Sequence, residues 1–376
     1  MSGSINRSAK ASLKRLLGEG GVKSLQRLRH QAKLIWLLLF SRTRFLSSLY
    51  YCFFSSQFDR EHQAVLKGRL AYLRSQGMQQ DSHTLLRRNI HRIEKGLIMQ
   101  PRKAAFALDY IGQTVRVYTE AAINATHDGE ELKWATDVLS EYFSAVAAEH
   151  LPQQVVRSFI AARVKARNSL KTLDESGRLA QSRPSIPYDF ASKVDAGVTR
   201  EVFLALCTQR RSVRWFEQRT VERALLEQAV DMASLAPSAC NRQPYRFYIA
   251  DDPQLSKKLV TTAPGTKGFA HNVPCTIVVT ADLANYPTER DRHLIYIDST
   301  LASMQLMLAL ETLGLSSCPI NWPDIDVREH KMVSLLGLSG SQRPIMLMAV
   351  GYAQAQGKIP FSQKKSASQL INYVEH

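Results

Sequence analysis

Apolar residues recur at helical spacing through most of the first half of the chain, and at strand spacing only in the second. In the stretch REHQAVLKGRLAYLRSQG, Val65, Leu66, Leu70 and Leu73 fall on one helical face that closes at Gly77. Leu132, Trp134, Val138, Leu139, Tyr142 and Phe143 do the same in ELKWATDVLSEYFSAVAAEHL, and Pro152 breaks the pattern before another helical run. The pattern therefore predicts an all-α region over residues 58–175. Residues 176–198 carry Ser and Pro without periodicity and are predicted to be a linker. Beyond it, EVFLALCTQ, VERALLEQAVDMASLAP and the long apolar run LIYIDSTLASMQLMLALETLGL, closed by Gly314, read as helices. YRFYIADD, VPCTIVVTADL and RPIMLMAVGYAQ read as strands between them. That alternation predicts an α+β domain over residues 199–376, a sandwich around a central sheet.

One segment resists the pattern. APSACNRQPYRF, residues 236–247, places Pro237 and Pro244 around Ser, Cys, Asn, Arg and Gln. Each proline removes a backbone donor and pushes its predecessor toward extended geometry, so an ordered loop running into a strand is expected.

Composition changes the picture mainly at the N-terminus. Residues 1–50 hold ten Lys and Arg against Glu19 alone, more than half of the chain's formal +16. Residues 1–57 thus form a basic amphipathic segment. Within it, LIWLLLFSRTRFLSSLYYCFF is interrupted by Arg42 and Arg44. A spanning helix needs roughly 20 apolar residues, and each central arginine costs about 2.5–3.5 kcal/mol, which argues against spanning. Peripheral contact with an anionic membrane at its inner surface is one reading, and a helix packed on protein with a solvated basic face is the other. No nucleic-acid-reading motif accompanies the charge. The five cysteines form no C-x-x-C pair, and no secretory signal is evident, which points to a reducing, cytoplasmic setting.

Polar clusters mark candidate chemistry. In RRSVRWF, Arg210, Ser212 and Arg214 alternate, so an extended chain turns two guanidinium forks and a hydroxyl the same way, a set suited to phosphate and sugar. Alone, such a triplet also describes a solvated basic turn. In the 236–247 loop, the Asn241 amide offers a donor and an acceptor to a heterocycle edge. A third cluster, SSCPINWPD, follows the long helix, and the chain ends in GYAQAQGKIPFSQKKS, where Gly351 is expected to let the chain turn. RRNIHRIEKGL, upstream, offers either a basic anion site or a solvated charged helix whose Glu94 pairs locally with Arg or Lys. Neither a Rossmann fingerprint nor a P-loop is present.

The order and spacing of these clusters resemble the FMN-dependent nitroreductase family over residues 198–370, most closely in RRSVRWF and APSACNRQPYRF. The resemblance implies a nitroreductase-like α-β-α sandwich around a mostly antiparallel sheet. It also implies an intertwined homodimer with FMN at the interface, and NADH or NADPH as hydride donor to a small organic acceptor such as a quinone or nitro compound. It assigns Arg210, Arg211 and Ser212 to the FMN phosphate and ribityl chain, and Arg214 to the ribityl and pyrimidine edge. Pro237, Ser238, Ala239, Asn241 and Gln243 would meet the isoalloxazine, some on the partner's flavin. A loop at Ile320, Asn321 and Trp322 would bring a backbone N–H to flavin N5, and Lys364 or Lys365 would close on the phosphate. Arg214 and Asn321 are the residues it places nearest the chemistry, Arg214 as the cation that stabilises the reduced ring. Trp322 stands where many members carry Gly, and its ring is expected to narrow the substrate slot. Cys240 has no histidine in its motif and is read as structural. RRNIHRIEKGL resembles a segment ahead of nitroreductase domains in bacterial polysaccharide-synthesis loci, and in that setting His91, Glu94 and Lys95 would mark a partner or anionic-substrate surface. Other chemistry open to a bound FMN is dehydrogenation or dehalogenation, and a tethered flavin-binding scaffold is a reading outside enzymology.

Overall fold

The computed structural model describes residues 20–21, 23–25, 27–75, 78–79, 82–123, 129–173 and 183–374. Arg7, Lys10, Lys14 and Arg15, Gly77, and residues 176–182 of the expected linker lie outside the described residues. The chain forms two compact units, one ending at His62 and one beginning at Gln63.

In the first unit, a helix through residues 27–40 turns into a second helix, Arg44–Phe53, at Thr43, whose hydroxyl accepts from Leu46 N at 3.2 Å. The rings of Trp36, Phe40, Tyr50 and Phe54 meet between them, with centroids 5.3–5.6 Å apart. Ile35, Leu38 and Phe53 are exposed. Among the described residues, the one segment long and apolar enough to cross a membrane is Glu289–Thr312, half of it buried in the second unit.

The second unit begins within helix Asp59–Ser75. The leucines that suggested its packing face, Leu66, Leu70 and Leu73, are exposed, and Ala64 and Gly68 are buried instead. Close approach explains the exchange, because a Cβ on Gly68 would stand 2.5 Å from Leu283 Cβ. Helices Thr84–Leu97, Ile111–Ile123, Gly129–Ala145 and Gln153–Leu173 share one core of Ile90, Ile93, Ile111, Leu132, Leu139 and Phe159. Tyr118 and Tyr142 are buried there too, with Tyr118 Oη 2.8 Å from Thr136 Oγ1 and Tyr142 Oη donating to the Phe106 carbonyl at 2.8 Å. Burial pushes both phenols up to about 12.

A short hairpin pairs β1 (Met78–Gln79) with β2 (Ser82–His83). The main sheet comprises β3 (Tyr245–Ala250), β4 (Cys275–Asp282), β5 (Ser316–Asn321) and β6 (Gln342–Gly351), in spatial order β3-β4-β6-β5 with every pair antiparallel. Its α+β architecture, a central antiparallel sheet with helices on both faces behind a helical N-terminal region, is the one expected. One apolar cluster joins Ile277, Val279, Met348 and Val350 to the long helix Leu294–Thr312; a second joins Val278, Leu347 and Ala349 to Leu259, Phe269 and Met332. β4 is almost wholly buried, in keeping with its unbroken apolar run.

SSCPIN, expected as part of a loop, is the edge strand β5, with Ile320 opposite Leu347 and Asn321 opposite Met346. Pro319 is tolerated because an edge strand has N–H positions that need no partner. Gly351 does not turn the chain; it ends β6, where a Cβ would meet Pro274 Cγ at 2.7 Å and Phe216 Cδ1 at 3.0 Å.

Candidate active site

Residues 210–216 leave helix Arg200–Gln209 as an extended strip laid along the sheet. Ser212 bridges Ser317 of β5, and Val213 N donates to the Ser317 carbonyl at 3.1 Å. Phe216 then bridges Ala353, Glu217 N donates to the Tyr352 carbonyl at 2.8 Å, and Gln354 N donates to the Trp215 carbonyl at 3.0 Å. Both ends of the strip are thus fixed by backbone bonds, as a site that must hold guanidinium groups in register requires.

The side chains of the strip divide without strict alternation. Val213 and Phe216 are buried in the core, and Arg211 turns to the C-terminal tail, donating to the Pro360 carbonyl at 2.6 Å and to the Phe361 carbonyl. Arg210 and Arg214 both act on the Cys318 thiol, whose pKa burial raises and whose two guanidinium neighbours lower. Arg214 also stands over the Phe269 ring at 5.8 Å. The strip thus carries Arg210, Ser212 and Arg214 beside β5, with Arg214 Nη1 3.5 Å from the Ser212 carbonyl.

Asn272 braces this strip. Its Oδ1 accepts from Phe216 N at 2.7 Å, and its Nδ2 donates to the carbonyls of Arg214 at 2.8 Å and Phe269 at 2.7 Å. Replacing Asn272 by alanine leaves the Phe216 N–H and the Arg214 carbonyl without these partners, while the Phe269 carbonyl keeps its bond from Asn272 N, so a loss of about 1–3 kcal/mol is expected. Urea unfolding measures it; an unchanged midpoint would show that the bracing is idle.

The 236–247 segment is an ordered loop built around the short turn Ala239–Asn241. Cys240, Asn241 and Gln243 all hold positive φ, at 53°, 53° and 48°. Residues so placed cost on the order of 1–3 kcal/mol each and persist where surrounding contacts over-determine them. Those contacts are specific: Gln243 N donates to Ser238 Oγ at 3.1 Å, Gln243 Nε2 to Asn241 Oδ1 at 2.9 Å, and Ala239 N to Asp298 Oδ2 at 3.1 Å. Burial raises the pKa of Asp298, which stands alone as a charge inside the apolar helix. Arg87 Nε donates to the Asn241 carbonyl at 3.0 Å while its Nη1 pairs with the buried Glu131 at 3.0 Å, tying the loop to the helical region.

Other expected residues sit differently. Trp322 is buried in the apolar cluster that includes Val213, Phe216, Ile320 and Met332. Asn321 is exposed at the end of β5. Lys364 and Lys365 lie on the exposed tail that Arg211 anchors. Glu94 accepts from Trp134 Nε1 at 2.9 Å and pairs with His91 at 3.1 Å, not with the Arg or Lys expected of it. A cleft of about 820 Å³ lies elsewhere, among Lys133, Asp137, Arg167 and Ile186, and contains none of these residues.

Asn272 and Asp298 were not identified from the sequence, and Arg87 was read there only as one charge of the RRNIHRIEKGL cluster, not as a brace for the loop. Only Asp298 left a signal there, a single carboxylate in nineteen otherwise uncharged or terminal helical positions.

The residues present fit FMN on an observation independent of any motif. Arg210 Nε and Ser317 Oγ are buried polar atoms with no hydrogen-bond partner, on the two strands that Ser212 bridges. A buried guanidinium N–H without an acceptor is what a phosphate or ribityl oxygen would complete.

Comparison with known proteins gives the family of this half of the chain. A profile of the nitroreductase family matches residues 207–263 and 257–352. An Archaeoglobus fulgidus protein named as an NADH dehydrogenase/NAD(P)H nitroreductase is 31% identical over 152 residues, covering 40% of this chain and 83% of its own. The iodotyrosine deiodinase of Haliscomenobacter hydrossis is 25% identical over 195 residues, covering 43% and 84% respectively. Among solved structures, the FMN-dependent nitroreductase of Clostridium difficile R20291 aligns at 21% identity and a TM-score of 0.40, over 46% of this chain and 99% of that one. With its matched segment spanning the Arg210 strip, the 236–247 loop and the sheet, the chain belongs to the nitroreductase family of oxidoreductases.

Proposed function

We propose that the protein is an FMN-dependent oxidoreductase that takes a hydride from NADH or NADPH and reduces a small organic acceptor of the quinone or nitro class. The observation that carries this reading is the buried, partnerless Nε of Arg210 on a strip fixed at both ends. FMN, when bound, supplies the hydride-accepting and hydride-donating centre. Arg210 and Ser212 hold the phosphate and ribityl oxygens, with Arg211 fixing the tail that carries Lys364 and Lys365. Arg214 places a cation beside the pyrimidine edge, where negative charge develops on reduction. Pro237, Ser238, Ala239, Asn241 and Gln243 position the ring, and Ile320 and Asn321 line its other side from the edge of the sheet. No side chain in the set is required as a nucleophile.

The reading includes a homodimer with each site completed by a second copy. Val202, Phe203, Leu204, Leu235, Ile297 and Phe361 are all exposed, which supports an apolar partner surface around the site helices. It also includes a cytoplasmic protein whose 27–54 hairpin rests on an anionic membrane surface, supported by exposed Ile35, Leu38 and Phe53 beside Arg42 and Arg44. A second reading, reductive dehalogenation at the same flavin, is favoured by the similarity to iodotyrosine deiodinase.

The purified protein is expected to be yellow, or to become so on adding FMN, and its visible flavin bands are expected to bleach with NADH or NADPH under anaerobic conditions. Bleaching by dithionite but by neither nucleotide favours the dehalogenase reading. A protein that cannot be loaded with FMN overturns both.

A further inference from the structure

On the side of the 236–247 loop that faces the helical region, three guanidinium groups converge from two elements. Arg88 and Arg92 lie one turn apart on helix Thr84–Leu97, and Arg242 comes from the loop itself. The helix is held against the loop by the Arg87 bond to the Asn241 carbonyl. Arg242 is 6% exposed, and its Nε has no partner. Its carboxylate neighbours are ill placed: Asp291 stands 3.9 Å away and is shared with Arg290, while Asp298 is committed to Ala239 N. Arg242 leans instead on the Tyr286 ring at 5.1 Å. Arg92 packs over Tyr110 at 3.7 Å, and its carboxylate, the exposed Asp109, is 4.0 Å off. Arg88 is half-buried and has neither an ion pair nor a hydrogen bond among the described residues. Desolvation lowers its pKa first, the charges of Arg242 and Arg92 lower it further, and Tyr72 and Cys240 oppose them. Three like charges held together in low dielectric, short of counter-charge, are repulsive unless an anion joins them.

We propose that Arg88, Arg92 and Arg242 form an oxyanion site that recognises a carboxylate or phosphate group on the acceptor, so that the substrate reaches the flavin loop from the helical region as an anion. This assignment rests on the flavin reading above for the identity of the ligand as the acceptor. It gives the Thr84–Leu97 helix a place in substrate selection, one turn from the His91 and Glu94 pair that the sequence had pointed to.

The test uses the full-length protein saturated with FMN, titrated in a calorimeter with phenyl phosphate, benzoate and benzyl alcohol. At least one anion is expected to bind on the order of tenfold or more tightly than the alcohol, and to lose that advantage in Arg88→Ala, since a hydrogen bond to a charged group carries about that factor. The better of the two anions names the source, phosphate or carboxylate. Arg88 makes no native bond, so Arg88→Ala is expected to keep its visible flavin bands and melting temperature; Arg92→Ala is the second variant. Equal binding of alcohol and anions, or anion binding unchanged in both variants, overturns the site. Displacement of FMN by phenyl phosphate also overturns it, because the anion would then occupy the cofactor's phosphate position. A protein that takes up no FMN yet binds phenyl phosphate through Arg88 retains the site and refutes the flavin reading instead.

Discussion

An Arg210→Ala variant is expected to purify without flavin and to bind added FMN on the order of tenfold to a hundredfold more weakly than the parent. Charge-assisted hydrogen bonds contribute about 1.5–3 kcal/mol each, and Arg210 Nε is buried with no other acceptor to turn to. The same fact predicts the sign of a second readout. Without FMN, removing Arg210 breaks no hydrogen bond of that nitrogen and relieves a buried unsatisfied donor, so the apo variant should melt no lower than apo parent. With FMN in hundredfold excess over the parent's dissociation constant, the parent gains about 2.7 kcal/mol and the variant only about 0.4–1.4 kcal/mol, and only then do the melting curves separate. Fluorescence titration of free FMN and paired melting curves measure both quantities. An Arg210→Ala protein that binds FMN as the parent does would remove this strip from the cofactor site, whereas one that unfolds without ligand would make Arg210 a structural residue.

Much of the fold was legible because it is local. Helical and strand periods in the sequence correspond to the observed helices and to β3, β4 and β6, and the two prolines around residues 236–247 marked a loop that the structure shows as ordered. β5 was hidden by Ser and Pro, residues that lower strand propensity but are harmless on an edge. The motifs located the two polar strips, yet not what holds them. Asn272 reaches Phe216 across 56 positions, and Arg87 reaches Asn241 across 154. Contacts that distant leave no period in the sequence, and an asparagine or arginine in isolation looks like any solvated residue. The burial of Trp322 was hidden for a related reason: the motif fixes its position in the chain, but its membership of the cluster around Met332 follows from β5 being a strand. The arginines of RRNIHRIEKGL had two open readings because composition does not say which charges pair: Glu94 takes His91 rather than an Arg or Lys, and Arg88, six positions earlier, has no ion pair among the described residues.

Cutting the Glu329 carboxylate should be the most destabilising single change in the chain's catalytic half. Arg343, at the start of β6, is 1% exposed, with its Nε 2.7 Å from Glu329 Oε1 and its Nη2 3.0 Å from Glu329 Oε2. Nη2 also donates to Asp324 Oδ1 at 2.8 Å, but Asp324 is 57% exposed and well solvated. Glu329 sits on helix Asp326–Leu336, itself 1% exposed, so the pair locks that helix to the sheet beside Ile320 and Trp322. Glu329→Ala leaves a buried guanidinium without its main counter-charge, a change that costs about 3–5 kcal/mol. Asp324→Asn, at a solvated position, is expected to cost about 1 kcal/mol or less. The double replacement Arg343→Met with Glu329→Leu removes both charges together and should recover most of the loss, since desolvating the pair offsets much of its attraction. Urea midpoints of the three variants decide the matter. If Glu329→Ala and the double variant are equally destabilised, the loss is one of packing volume rather than of an orphaned charge.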